Sequence, residues 1–194
     1  MVNENDLDRR IADALERVGQ ALRVQLWDAA KEQSLTPTQL QVLLRLATDP
    51  PRLRRVGALA EQLDVTHPTI SDAVGALRRK GLVDRETESR RSPLILTIEG
   101  REVAGALAGW QDRTIDQLSE LPSEDKEVTL RTLLSLIAGL QREGAITVAR
   151  MCSTCRFFER DAHPGETPHH CGLLDIPLAD ADLRVDCPEH QPAA

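Results

Sequence analysis

The sequence predicts a mainly α-helical chain with one small β-hairpin and a short cysteine-bearing C-terminal extension. Three observations predict it. Residues 6–32 and 123–143 repeat apolar positions every three or four residues, the period of a helix with a buried stripe. Between them, over 52–98, the pattern breaks into short helical pieces followed by two brief runs of strand character. All four cysteines lie in 151–194.

Of the 194 residues, 41% are apolar and 28% charged, which is ordinary for a globular chain. Aromatic residues are scarce, with two Trp, two Phe and no Tyr, so Leu, Ala, Val and Ile must build the core. No apolar run approaches the roughly 20 residues that span a membrane, and no membrane partner is expected. The polar, acidic start Met1-Val2-Asn3-Glu4-Asn5-Asp6 is the opposite of a signal peptide. The expected location is the cytoplasm, where a cysteine cluster reads as metal-binding before disulfide. The net charge of −7 argues against a nucleic-acid partner, but its distribution does not. Arg52–Arg91 holds nine Lys/Arg against six Asp/Glu, a local +3, whereas Met151–Ala194 holds three against eight, a local −5. A basic middle inside an acidic chain suits a DNA-binding module.

In chain order, Leu7, Ile11, Leu15, Val18, Leu22 and Leu26 form the stripe of the first helix. Thr36-Pro37-Thr38-Gln39 reads as the start of a second, with Thr36 as N-cap, Pro37 in the first turn and Gln39 reaching back. Leu40, Leu43, Leu44 and Leu46 give it a buried face, and Asp49-Pro50-Pro51 stops it. Val56–Leu63 is a compact helix, Asp64-Val65-Thr66 a turn, and His67–Lys80 a further helix ended by Gly81. Leu82–Arg85 and Leu94–Thr97 have strand character, with the polar loop Glu86–Pro93 between them. Thr97 caps a long helix bearing Val103, Leu107, Trp110 and Leu118, which Leu121-Pro122-Ser123 breaks. Ser123 caps the last helix, with Glu124 and Asp125 favourably placed at its N-terminus. Val128, Leu130, Leu133, Leu134, Ile137 and Leu140 cover more than one face of that helix, so it should bury two sides, one against a partner chain.

Helix, turn, helix, hairpin over Val56–Thr97 is the winged helix-turn-helix order. The second helix of such a pair enters the major groove and presents its N-terminal residues to base edges. Here those residues are Thr66, His67, Thr69, Ser71 and Asp72, opposite the apolar Ile70, Val74 and Leu77. Arg78 and Arg79, with Lys80, suit phosphates, which add affinity without sequence choice. Arg90 and Arg91 sit where a wing meets the minor groove. Any one of these side chains alone reads better as a solvated helix position; it is the ordered set that favours DNA binding.

Residues 6–143 resemble a MarR-type transcriptional regulator. The likeness is carried by Leu35-Thr36-Pro37-Thr38-Gln39-Leu40, Leu59-Ala60-Glu61-Gln62-Leu63, Thr69-Ile70-Ser71, Leu77-Arg78-Arg79-Lys80-Gly81-Leu82-Val83 and Leu96-Thr97-Ile98-Glu99-Gly100. The resemblance implies a homodimer whose first and last long helices (6–32 and 123–143) intertwine, within a domain spanning 1–144, and whose reading heads (52–98) bind a pseudo-palindromic operator of double-stranded DNA. It also implies release of DNA by a small anionic or phenolic effector. The family wing carries an Asp-Arg-Arg-like turn. The matching run here is Ser89-Arg90-Arg91, which lacks the acidic residue while Arg91 matches the inserting position.

The extension 151–194 lies beyond that resemblance. Cys152, Cys155, Cys171 and Cys187 follow the spacing C-x2-C-x15-C-x15-C. The segment has few apolar residues, and one so small needs a staple or a metal to fold. Both Phe residues of the chain, Phe157 and Phe158, lie just after Cys155. One close pair plus two single cysteines resembles the ligand spacing of high-potential iron–sulfur proteins, and Cys187-Pro188 suits such a site. An iron–sulfur cluster, of 4Fe–4S type, is the preferred reading. The alternative is a structural Zn2+, since one C-x2-C knuckle is common in zinc sites. Free thiols or disulfides are the third reading. His163, His169, His170 and His190 also fall here, mostly as packing residues, with His170 beside Cys171 the candidate fourth ligand or hydrogen-bond donor.

Together these readings describe a dimeric DNA-binding regulator with a metal-clasped extension, whose centre couples redox state, oxygen or metal supply to operator affinity. The rival is an enzyme or electron carrier. No nucleophile–base set, Gly-rich phosphate loop or H-E-x-x-H helix supports it.

Overall fold

A computed structural model describes residues 4–87, 89 and 92–193. The helices are α1 (Glu4–Glu32), α2 (Pro37–Thr48), α3 (Val56–Gln62), α4 (His67–Arg79), α5 (Ile98–Leu107), α6 (Asp112–Ser119) and α7 (Ser123–Arg142). The strands are β1 (Val83–Arg85), β2 (Leu94–Leu96), β3 (Phe158–Glu159), β4 (His169–Cys171) and β5 (Ile176–Leu178). The expected mainly α chain with a small antiparallel hairpin is what is found. No helix among the described residues is long and apolar enough to cross a membrane. The chain divides into two compact units, Met1–Ala47 with Pro68–Ser119, and Thr48–His67 with Glu120–Ala194.

In the first unit, α2 begins with the expected capping box. The Gln39 N–H donates to Thr36 Oγ1 and the Thr36 N–H to Gln39 Oε1, each at 3.3 Å, so two otherwise orphaned donors are satisfied. Leu40, Val42, Leu43 and Leu46 of α2 are fully buried, as are Ile70 and Leu77 of α4. Gly81, at φ +72°, ends α4 in a Schellman turn, its N–H reaching Arg78 O at 3.0 Å and that of Leu82 reaching Leu77 O at 3.0 Å.

The hairpin pairs Val83 with Leu96, Asp84 with Ile95 and Arg85 with Leu94. Its base is tied to α5. Thr97 accepts the Gly100 N–H at 2.9 Å as N-cap and donates to Gly81 O at 2.7 Å. Gly100 lies so close to the strand that a Cβ there would stand 1.9 Å from Leu82 O. No side chain fits at that position.

The single long helix expected after Thr97 is in fact two. Over 108–112 the backbone tightens into i→i−3 bonds, Ala108 to Gly105, Trp110 to Leu107 and Asp112 to Gly109, and α6 starts anew at Asp112. Gly109, which favours helix poorly, sits at the break. The apolar stripe of α1 is largely uncovered, with Leu7, Ile11 and Val18 exposed at 50%, 49% and 52% and Trp27 at 60%.

In the second unit, Ser123 is the first residue of α7 rather than its cap. Pro122 holds the cap position without a side-chain bond, which Pro tolerates because the N-terminal N–H groups lack intrahelical partners in any case. One side of α7 is covered by the chain's own extension. Leu134, Ala149 and Met151 form a buried cluster with Leu130, Ile137, Ala138 and Leu183 packed around it. Burying a side chain such as that of Met151 contributes about 1.5–3 kcal/mol. Val128 and Leu136 stay exposed. The extension carries an unforeseen three-stranded antiparallel sheet in the order β3-β4-β5, pairing Phe158 with Cys171 and Cys171 with Ile176.

Replacing Gly100 with Ala (G100A) should destabilise the fold by about 1–3 kcal/mol or more through overpacking and so lower Tm markedly. Thermal denaturation by circular dichroism measures it, and a wild-type Tm would contradict the close approach.

Candidate functional site

The reading helix α4 sorts its residues as its period demands. Thr66, His67, Thr69, Ser71 and Asp72 are exposed, while Ile70, Val74 and Leu77 are buried. Arg78, Arg79 and Lys80 are exposed at its C-terminal end, where the helix dipole also favours cations. Arg78 is paired with Asp84 Oδ1 of β1 at 3.3 Å, and Lys80 Nζ donates to Ser34 O. A phosphate would compete for both. Arg90 and Arg91 lie outside the described residues.

The base of the wing is closed by a residue the sequence reading did not single out. Ser92 is buried, its Oγ accepts the Thr87 N–H at 2.9 Å, and its carbonyl accepts Arg85 Nη1 at 3.3 Å. Only its short polar side chain between two Arg-bearing stretches hinted at this.

The second candidate lies in the extension. Cys152, Cys155, Cys171 and Cys187 all line one small cavity, with Phe157, Phe158, Leu173, Leu174, Leu178, Arg184 and Glu189 as its other lining residues. Local backbone bonds place each cysteine. Cys155 N–H reaches Cys152 O at 2.9 Å, closing the C-x2-C knuckle as a 3-10 turn, and Phe158 N–H reaches Cys155 O at 3.1 Å. Cys171 is carried on β4 opposite Phe158. Cys187 N–H reaches Arg150 O at 2.8 Å. All four thiols are half-buried and none is in a disulfide.

Two donors point at sulfur. The Arg184 N–H lies 3.2 Å from Cys152 Sγ, and its guanidinium Nη1 lies 3.9 Å from Cys187 Sγ. Burial pushes the Cys152 thiol up, against the Arg184 N–H, and the neighbouring Cys187 and Cys171 push the same way. The thiols are spread around the cavity wall. Among the described residues no three Cys, His, Asp or Glu side chains gather on one point at single-ion range.

None of the four tail histidines lines this cavity. His163 Nε2 meets His170 Nδ1 at 3.2 Å, and His170 Nε2 meets Asp175 at 3.4 Å. His190 bonds Thr154 Oγ1 at 3.0 Å. His169 is buried. Its Nδ1 accepts the Asp161 N–H at 3.3 Å, so Nε2 carries the proton and donates to Asp180 Oδ1 at 3.1 Å. Asp180 also receives Arg131 of α7 at 2.7 Å. These bonds, that from His169 first, hold the Asp180 carboxyl below its usual 3.8 despite partial burial.

Because the folded value is the lower one, the Asp180 contribution is present above about pH 3.8 and fades as pH falls through the lower folded value. D180N should therefore lower Tm at pH 7, with the loss shrinking toward pH 3. Thermal melts of both proteins across that range measure it, and a pH-independent difference would contradict the pairing.

Residues 33–92 match the MarR family model. No curated protein matches the sequence. Among solved structures, the chain is similar to a MarR-family protein of Mycobacterium tuberculosis, with 26% identity and TM-score 0.51 over 66% of this chain and 95% of that one. It is also similar to Staphylococcus aureus MepR in complex with DNA, at 20% identity and TM-score 0.58 over 66% and 97%. Staphylococcus aureus MarR in complex with salicylate and kanamycin shows 14% identity and TM-score 0.61 over 71% and 94%. These chains are matched almost whole, whereas roughly a third of this one has no counterpart in them. Over residues 33–92 the chain is thus similar to the MarR family of transcriptional regulators, and it shares their winged-helix fold.

Proposed function

We propose that the protein acts in the cytoplasm as a homodimer on a pseudo-palindromic operator, and that its extension holds a 4Fe–4S cluster on Cys152, Cys155, Cys171 and Cys187 whose occupancy sets operator affinity. The observation that carries the reading is the convergence of four cysteines, scattered over the extension, on one largely apolar cavity. Thiolates are the ligands such clusters take. Sulfurs spread around a wall suit a cluster, in which each binds its own iron, better than one ion that all four must reach at about 2.3 Å. Bound there, the cluster would supply redox chemistry and sensitivity to oxygen. Phe157, Phe158 and Leu178 would shield it from water, and the Arg184 N–H would stabilise the Cys152 thiolate. The 3-10 knuckle at Cys152–Cys155 is what favours the second reading, a structural Zn2+.

The dimer is supported by the uncovered apolar residues of α1 and by Ile115, Leu118, Leu121 and Val128, all exposed. Exposed apolar side chains in such number, within each unit, are what an interface would cover. Control by a small molecule is supported by an open cleft in the first unit, lined by Gln25, Asp28, Glu32, Trp110, Asp112 and Arg113 among others.

Protein purified without oxygen should be brown and contain iron. Colourless protein with one zinc per chain would replace the cluster by a clasp, and metal-free protein would end the reading. Cys171→Ser should lose the metal and change operator affinity. Binding equal to wild type under both oxidising and reducing conditions would reduce the centre to a structural role. On DNA, Arg79→Ala should weaken all sequences alike and reduce the salt slope by about 1, whereas Ser71→Ala should relax base preference. Anisotropy titrations across salt and sequence separate the two effects.

A further inference from the structure

We infer that Arg150 and Arg52 couple occupancy of the cysteine centre to the turn of the helix-turn-helix, through the loop that carries Cys187. This rests on the metal-centre reading above and names how that centre would act.

Arg150 is 9% exposed and lies between two carboxylates. Its Nη2 meets Asp49 Oδ1 at 2.9 Å and its Nε meets Asp186 Oδ1 at 2.6 Å, with Asp49 itself 3% exposed. Burial alone would lower the pKa of its guanidinium, but the bonds and charges of Asp186 and Asp49 outweigh it and raise the value. The Arg150 carbonyl holds the Cys187 N–H. One residue therefore grips both the backbone of a candidate ligand and the side chain next to it. Arg52 repeats the grip one step along, with Nη2 donating to Pro188 O and Nη1 3.7 Å from Glu189.

The receiving end is the stretch leading into the reading head. Asp49 is followed by Pro50 and Pro51, whose φ angles are fixed, and Arg54 Nε bonds Asp49 O at 2.6 Å. A 3-10 turn, Pro51–Leu53, leads to α3 from Val56. The same strap touches the far end of α3. Thr147 N–H donates to Asp64 Oδ1 at 3.0 Å, and Asp64, at φ +49°, is the turn residue three positions before His67. Residues 147–150 and 186–189 thus hold α3 at both ends.

The pair is poised rather than saturated. Arg150 Nη1 and Asp49 Oδ2 are buried without a hydrogen-bond partner, so withdrawing Asp186 leaves a buried guanidinium on one contact. With the centre occupied, Cys187 is fixed to Cys152, Cys155 and Cys171 and Asp186 is presented to Arg150. With it emptied, that constraint is gone, and the hold on residues 49–64 weakens.

The test uses full-length protein, metal-loaded and chelator-stripped, and a labelled duplex selected by the wild type from a random pool. The double variant R52Q/D186N weakens the links made by Arg52 and Asp186 and leaves the buried Arg150–Asp49 pair. Metal content should match wild type. The loaded-to-stripped affinity ratio, on the order of 5–150-fold for such coupling in wild type, should fall to within about twofold. Hydrogen exchange in α3 should quicken on stripping the wild type and be alike in both forms of the variant. R150M should do the same; should it fail to fold, R52Q/D186N decides alone. A metal-bound variant with the wild-type ratio and exchange difference would overturn the coupling. A wild type that binds no metal would overturn the centre reading and the coupling with it.

Discussion

A guanidinium taken out of water needs carboxylates, and the Arg150 side chain finds them in Asp49 and Asp186, residues remote from it in sequence. Buried ion pairs add little net stability, because desolvating the two charges offsets their attraction. Removing one partner, however, costs about 3–5 kcal/mol. Such a pair therefore selects one arrangement over others. The extension has too few apolar residues to position itself by packing alone, and Met151 next to Arg150 is its one fully buried large side chain. The ion pair sets the register, and the Met151 cluster on α7 supplies apolar burial. The cysteine-lined cavity is built on top of both.

The reading head is governed by a different constraint, close approach of backbones. Gly100 against Leu82 O and Thr97 between Gly81 O and Gly100 N–H fix where α5 leaves the hairpin. Gly81 fixes where α4 ends. Ser92 closes the wing from within. The hairpin base is therefore held by backbone contacts and short polar side chains.

Much of this was legible in the residues. The Thr36/Gln39 capping box, the Gly81 stop, the Thr97 cap and the exposed set on α4 follow from local rules that act over three or four residues. What was missed acts over longer distances or smaller differences. The helix break at 108–112 turns on Gly109 inside an otherwise helical pattern, and the start of α7 shifts by one residue between Pro122 and Ser123. Strands β3–β5, two or three residues each, are too short to show alternation. That Arg150 reaches Asp49 across 101 positions has no local signature at all. In the cysteine site, the four residues were evident from spacing, but their shared cavity and the diversion of all four histidines to other partners depended on the fold. The second face of the last helix was expected to await another chain, and part of it is met by the extension itself.

Trp27 on α1 and Trp110 in the α5–α6 break are the only indoles, and the chain has no Tyr. Both belong to the first unit. The extension thus contributes only phenylalanine to ultraviolet absorption, and is close to optically dark by itself. Intrinsic fluorescence reports on one part of the molecule, and any colour the protein acquires comes from what it binds, so the two halves carry separate built-in spectroscopic labels.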